Sequence, residues 1–372
     1  MHSVVAGAAT LDAPYARRVQ QVHLGVIAVV LGGLAGIVLF VPFVALSYRR
    51  RGGLSVGRSL LWIAAVVYFW AIWTYTLLPL PEPDAIRCAG VNLDVWAFVD
   101  DIRGASARPG NMLTDPAVLQ LALNVVLFLP LGFFVRVLGG RGILVAVLAG
   151  LGTSLFIETT QLTGVWGLYP CAYRVFDVDD LLTNTTGALL GSIAGFVVPA
   201  RHRGLAVTPD ADDPDPVTRR RRLLAMLCDV LGAAVLQVTL AVGGQLVQLV
   251  VRGDGVVIDG ALSSTIAATL TAGLWLVVTL ATGRTIGDLA TQLRYASAMP
   301  AWLARPLRFL GGIGGWMLLG ALPAPWSALA GVYAVVAIVL LFTTAGGRGI
   351  PGLVTASRLV DARATEPARP GR

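Results

Sequence analysis

The sequence contains no lysine. All 28 of its basic residues are arginines, set against 21 acidic residues, for a formal net charge of +7. Arginine alone, alongside abundant alanine, glycine and valine, reads as the codon signature of a GC-rich bacterial genome. Histidine is almost absent: His2, His23 and His202 lie far apart, which argues against a histidine-based triad or a zinc site. The three cysteines, at 88, 171 and 228, fit none of the metal-binding spacings. There is no HExxH, no Walker loop and no GxSxG, so no cofactor is expected. No basic surface is interleaved with aromatics, so the positive charge does not point to nucleic acid. Charge of either sign is scarce, at 13% of residues.

What is present is apolar. Hydrophobic residues make up 56% of the 372, and mean hydropathy is +0.76. A soluble domain of this length could not bury that much apolar surface, so the chain reads as a multi-pass protein of a bacterial plasma membrane, with membrane lipids as its surroundings. The first apolar run, Leu24–Leu46, is too long for a signal segment and lacks a small-residue cleavage site. It closes on Tyr48-Arg-Arg-Arg51, an inside anchor. Leu60–Leu78, rich in Trp and Tyr, stops at Pro79-Leu-Pro81-Glu-Pro83, where proline cannot continue a helix.

The connection Glu82–Asp115 is polar, and Leu93–Val99 reads as a short amphipathic helix within it. Asp115 and Pro116 supply an N-cap and a first helical residue for the third span, Ala117–Leu138. Pro130 should kink that span and free the carbonyl of Val126. Ile143–Leu162 and Leu181–Val198 follow as the fourth and fifth. Gly187, Gly191 and Gly195 form two overlapping GxxxG spacings in the fifth. Composition then changes: Asp210-Ala-Asp-Asp-Pro-Asp-Pro216 followed by Arg219-Arg-Arg-Arg222 reads as a cytoplasmic linker and a second anchor. Leu223–Val251 and Leu262–Ala281 are further spans. Leu307–Leu322 and Trp326–Phe342 are two more spans or a hairpin that half enters. The expected fold is all-α, a transmembrane bundle of about nine spans. Its parts are a domain over 1–199, a linker over 200–218 and a second domain with a basic tail over 219–372. With the N-terminus outside and the C-terminus inside, only seven of the 28 arginines (17, 18, 87, 103, 108, 174, 252) fall outside, as the positive-inside rule requires.

Polar residues inside these spans are the candidates for function. Ser154, Glu158 and Gln161, spaced four and three, share one helix face; Asp177, Asp180, Asn184 and Gly187 are spaced likewise. A carboxylate at the bilayer centre costs ~2.5–3.5 kcal/mol even on the lenient insertion scale, so Glu158 should face protein or water. By the helical rise, Asn124, Glu158, Asp180 and Asn184 fall in one outer-leaflet slab, within reach of Arg174 from the loop. Asp177 reads as a helix cap. Asp180 serves equally well as a first-turn carboxylate against the dipole, and Asn124 as glue between helices. Cys88 and Cys171, one in each outer loop, are either a disulfide or two unrelated thiols.

Three blocks together, Asn124-x3-Phe128-x-Pro130-x-Gly132, Ser154-x3-Glu158-x2-Gln161 and Arg174-x2-Asp177-x2-Asp180-x3-Asn184-x2-Gly187, resemble the VanZ-like family of bacterial membrane proteins over residues 24–198. The ending Thr76-Leu-Leu-Pro79 is similar too. The resemblance implies an envelope-associated membrane protein; the founding member is linked to low-level resistance to the glycopeptide teicoplanin. The second half resembles an RDD-family membrane domain over 219–362, through Arg222, Asp229, Thr285 and Gly287. Near its end, Gly352 stands where that family has Asp. Arg222 and Asp229, two turns apart on one face, also read as a structural charge relay.

The leading expectation is an envelope protein that binds a lipid-linked or glycopeptide ligand at the outer leaflet, with Glu158, Asp180 and Asn184 contacting it and Arg174 orienting a carboxylate. Glu158 should lie within hydrogen-bond or single-water reach of groups from the third and fifth spans, with Asn124 and Asn184 the first candidates. The alternatives are an ion- or proton-coupled transporter and an intramembrane enzyme acting on a lipid-linked substrate.

Overall fold

The computed structural model describes residues 13–81, 86, 88–108, 111–204, 206–252 and 260–364. The expectations for Arg87 and for the tail beyond Ala364 lie outside them, as do those for the side chains of Arg17, Arg18 and Arg252. Its helices in chain order are α1 (Ala13–Arg51), α2 (Val56–Leu77), α3 (Ala97–Ala107), α4 (Pro116–Val137), α5 (Ile143–Leu162) and the single left-handed turn α6 (Gly164–Gly167). They continue with α7 (Val178–Ala194), α8 (Arg219–Arg252), α9 (Gly260–Thr282), α10 (Ile286–Ala290), α11 (Ala301–Leu310), α12 (Ile313–Gly320), α13 (Leu329–Thr343) and α14 (Gly349–Val354). Two short sheets complete the fold. β1 (Val91–Asn92) pairs in parallel with β2 (Phe176–Asp177), and β3 (Leu293–Ala296) pairs antiparallel with β4 (Arg358–Asp361).

Seven segments among the described residues are long and apolar enough to cross a membrane: His23–Arg51, Val56–Leu77, Pro116–Val137, Ile143–Leu162, Arg219–Val251, Gly260–Thr282 and Trp326–Thr343. The all-α, polytopic class follows from them. The expected fifth span is α7 with a 3-10 turn, Gly195–Val197, added at its end. The run expected over 307–322 is not one helix. It breaks at Gly311-Gly312 between α11 and α12, and α12, with 8 residues, extends only about 12 Å. Since β3 and β4 pair, the segment between them starts and ends on the same side. The short helix expected over 93–99 instead starts at Ala97 and runs to Ala107.

The chain forms two compact units, residues 1–36 with 56–206 and residues 37–55 with 207–372. The second half of α1 therefore goes with the second unit, where Val44 and Tyr48 form a buried cluster with Cys228 and Ala290. In the first unit Ile72, Phe128 and Ile157 form the core where α2, α4 and α5 meet. The α4–α7 contact is backbone against backbone. A Cβ added to Gly191 would lie 1.8 Å from the Leu129 carbonyl oxygen, and one on Gly132 would lie 1.8 Å from that of Ala188. Only glycine permits this approach, and it brings the polar faces of α4, α5 and α7 together. In α4, Pro130 lies inside the helix, and the Tyr68 hydroxyl donates to the carbonyl of Leu127 at 2.8 Å.

Candidate functional site

The site is assembled at one end of the first unit. Asp115 caps α4, accepting from the Ala117 N–H at 3.0 Å, with Pro116 at the first helical position. This start sets Asn124 two turns along α4, where its Nδ2 donates to Asp180 Oδ1 at 2.6 Å. Asp177 caps α7, accepting from the Asp179 N–H at 3.0 Å. Across the strand pair, Asn92 Nδ2 donates to both carboxylate oxygens of Asp177, each at 3.3 Å. A disulfide joins Cys88 to Cys171 and ties the two loops that carry β1 and β2; Cys228 is free and buried.

Below the cap, Ser154, Glu158 and Gln161 are all buried on one face of α5. Asn184 Nδ2 donates to Ser154 Oγ at 2.9 Å, and Ser154 Oγ donates to the Asp180 carbonyl at 3.5 Å. Asn184 Oδ1 is buried without a protein partner. Glu158, 2% exposed, accepts through Oε2 from the backbone N–H of Asp177 at 3.2 Å. That places Glu158 against the α7 cap, so the expected contact with the fifth span is made through Asp177, whereas Asn124 binds Asp180 and Asn184 binds Ser154. A carboxylate at the helix start also meets the positive end of the α7 dipole.

Arg174 corrects an expectation. Among the described residues it forms no ion pair with a carboxylate; its Nη1 donates to the Thr76 carbonyl at 3.1 Å, and Gln161 Nε2 donates to the same oxygen at 2.8 Å. The reason lies in the end of α2. Pro79 brings no N–H, so the last carbonyls of the helix need side-chain donors. Tyr173 supplies another, to Leu77 at 3.3 Å. Glu158, Asp177 and Asp180 thus form no ion pair among the described residues. Nor, among the described residues, do three His, Cys, Asp or Glu residues converge there in a group able to hold a metal ion.

Two residues escaped the sequence reading. Asp179, adjacent to the stripe but on another face, is buried and accepts from the Phe98 N–H at 2.7 Å; it caps α3 from a distance, because Trp96 at the α3 N-cap has no side-chain cap bond. Asn92 lay in a connection with no periodicity to flag it.

The second unit holds a separate polar cluster. Asp229 accepts from Trp275 Nε1 at 2.9 Å, the Gly287 N–H at 2.8 Å and Thr285 Oγ1 at 2.6 Å. Arg222 pairs with Asp288 at 2.6 Å, which corrects the relay expected between Arg222 and Asp229. Thr285 and Asp288 form a capping box that starts α10. Gly287 is required, since a Cβ there would lie 1.9 Å from the Ala225 carbonyl oxygen. These groups form the polar floor of a cavity of about 250 Å³ with apolar walls. Gly352 is packed under the Arg348 side chain.

Helices of membrane length, two of which (α4 and α5) enclose a polar cluster together with α7, define a multi-pass helical membrane protein. Within it, residues 61–198 match a family model described as VanZ/LLP1, so that part of the chain is a VanZ-like domain. The match spans α2 to the end of α7 and takes in Asn124, Ser154, Glu158, Gln161, Arg174, Asp177, Asp180 and Asn184. No curated protein and no solved structure matches the chain.

Proposed function

We propose that the VanZ-like unit binds the polar part of a lipid-linked or glycopeptide envelope ligand from the outer face of a bacterial plasma membrane, and that the protein contributes in this way to glycopeptide (teicoplanin) resistance. The observation that carries this reading is an imbalance. Glu158, Asp177 and Asp180 are gathered without an ion-pair partner among the described residues, and Asn184 Oδ1 is buried unpartnered. Acceptors exceed donors, so the site suits a ligand rich in donors, such as sugar hydroxyls, amide N–H groups or an ammonium. Glu158 has one backbone donor and no ion-pair partner among the described residues, so it retains the capacity to take a donor from a ligand. The test is binding of teicoplanin and of a lipid-linked envelope precursor to the full-length protein and to Glu158→Gln. Retained binding by the variant would remove the basis of this reading.

The isolation of Glu158 also favours a second reading, a proton-coupled carrier in which this carboxylate takes up the proton. Flux driven by a pH gradient in proteoliposomes, lost in Glu158→Gln, would establish it; turnover of a lipid-linked substrate in the same vesicles would point to an enzyme. For residues 219–362 we infer an RDD-like domain. The cluster of Arg222, Asp229, Thr285 and Gly287 supports that reading, because each makes a buried contact that depends on its side chain or, at Gly287, on having none.

A further inference from the structure

A second cavity of the first unit, about 330 Å³ in volume, opens where α4 ends and α5 begins, and it belongs to neither cluster above. Along α5 it lies about 24 Å from Glu158 by the helical rise. Its lining includes Arg136, Arg141, Arg203 and the glycines 139, 142 and 204; among the described residues no acidic side chain lines it.

Arg136 is the central observation. It is 7% exposed, whereas an arginine acting only as an inside anchor stands in water or headgroups. Its Nε donates to Ser192 Oγ at 3.0 Å, and its guanidinium lies 3.9 Å from the centre of the Phe196 ring. Among the described residues neither terminal nitrogen has a hydrogen-bond partner and no carboxylate pairs with it. Gly195 leaves the room this side chain occupies: a Cβ there would lie 2.8 Å from Arg136 Cδ. Arg203 brings a second guanidinium to the same ring, at 5.2 Å. Two cations on one ring repel, and the charge of Arg136, buried with no carboxylate beside it among the described residues, is costly.

The start of α5 adds to this field. Gly142 occupies the N-cap and lines the cavity, and no side chain caps the helix there. The first-turn amides and the positive end of a 20-residue dipole are therefore left for an anion. Arg141 stands exposed at the rim.

We propose that this cavity is a binding site for a phosphate group, held by Arg136, Arg141, Arg203 and the α5 N-terminus. The phosphate comes either from the headgroup of an anionic lipid or from free phosphate. Phe196 and Val197 beside the cavity are 54% and 83% exposed, which suits acyl chains running past it.

The test titrates the purified full-length protein with phosphatidylglycerol, phosphatidylcholine and inorganic phosphate, counting retained lipid by native mass spectrometry and following thermal unfolding. Phosphatidylglycerol should bind at least about tenfold more tightly than phosphatidylcholine, the scale of one charge-assisted hydrogen bond. Arg136→Gln should abolish that preference and Arg141→Gln should reduce it severalfold, while Glu158→Gln, at the other cluster, should leave it unchanged. Stabilisation by inorganic phosphate without a lipid preference, lost in Arg141→Gln, would identify free phosphate as the source. If Arg136→Gln does not fold, Arg141→Glu, which reverses an exposed charge, decides the matter. Absence of both effects in the natural protein, or effects unchanged by substitutions at 136 and 141, would overturn the proposal.

Discussion

The carboxylate of Glu158 accepts a hydrogen bond from the backbone N–H of Asp177, the residue whose own side chain caps α7. One buried acid is thus fixed by the start of the next helix, and the two carboxylates perform different tasks.

Glu158→Gln keeps the shape and the hydrogen bond but removes the charge. Complementation of a deletion strain should fail, with expression and membrane insertion intact. Asp177→Ala should instead act on stability, lowering it by ~1 kcal/mol, while Asp177→Asn restores the cap. Full complementation by Glu158→Gln would count against the outer site.

Gly191→Ala places a Cβ 1.8 Å from the Leu129 carbonyl oxygen. Helices α4 and α7 must separate, at a cost of at least ~1–3 kcal/mol from overpacking. Gly152→Ala in α5 is the control, since nothing lies within 4 Å of its added methyl. Thermal unfolding in detergent should show a large fall for the first and none for the second.

Asp361, in β4, pairs with Arg221 and Arg363, each at 2.7 Å. Burial pushes its pKa up, but hydrogen bonds from Arg363 and Arg221 outweigh that and hold it well below the usual carboxylate range. The unfolded carboxylate titrates near about 3.9, so on acidification the unfolded chain binds the proton first. The stabilisation is therefore complete above about pH 5 and is lost as pH falls through 4 towards the folded value. Melting temperature should drop over that window. Asp361→Asn should be destabilised by ~3–5 kcal/mol already at pH 5, because it leaves Arg221 buried without its partner, and its pH slope should be shallower. An unchanged slope would exclude Asp361 as the titrating group.

The disulfide links residues 83 positions apart in the sequence. Non-reducing peptide mapping of protein from an oxidising envelope should recover Cys88 linked to Cys171 and Cys228 free. Cys88→Ser with Cys171→Ser should cost ~2–4 kcal/mol. Two free thiols in that map would refute the link.

Orientation is tested by single cysteines at Leu168 and Val207, both exposed, in a background freed of the natural three. An impermeant reagent added outside should label the first and not the second, as the arginine distribution requires. The reverse pattern would invert the topology and move the Glu158 cluster to the inner face.

The sequence by itself determined the class, most helix boundaries and the face on which Ser154, Glu158 and Gln161 lie, because apolar run length and the 3.6-residue period are local properties. It also marked Asp115 and Asp177 as caps, since capping chemistry acts within three residues. Which polar groups pair was decided only in three dimensions. Arg174 turned to Thr76 because Pro79 left carbonyls open at the end of another helix, and Arg222 chose Asp288 over Asp229, its neighbour on α8. Arg136 read as one more inside arginine until the approach of α7 to α4, set by Gly132 together with Gly191 and Gly195, 55 and 59 residues further on, buried it. Pairing depends on which helices touch, and that is a property of packing across the chain, which a local pattern does not contain.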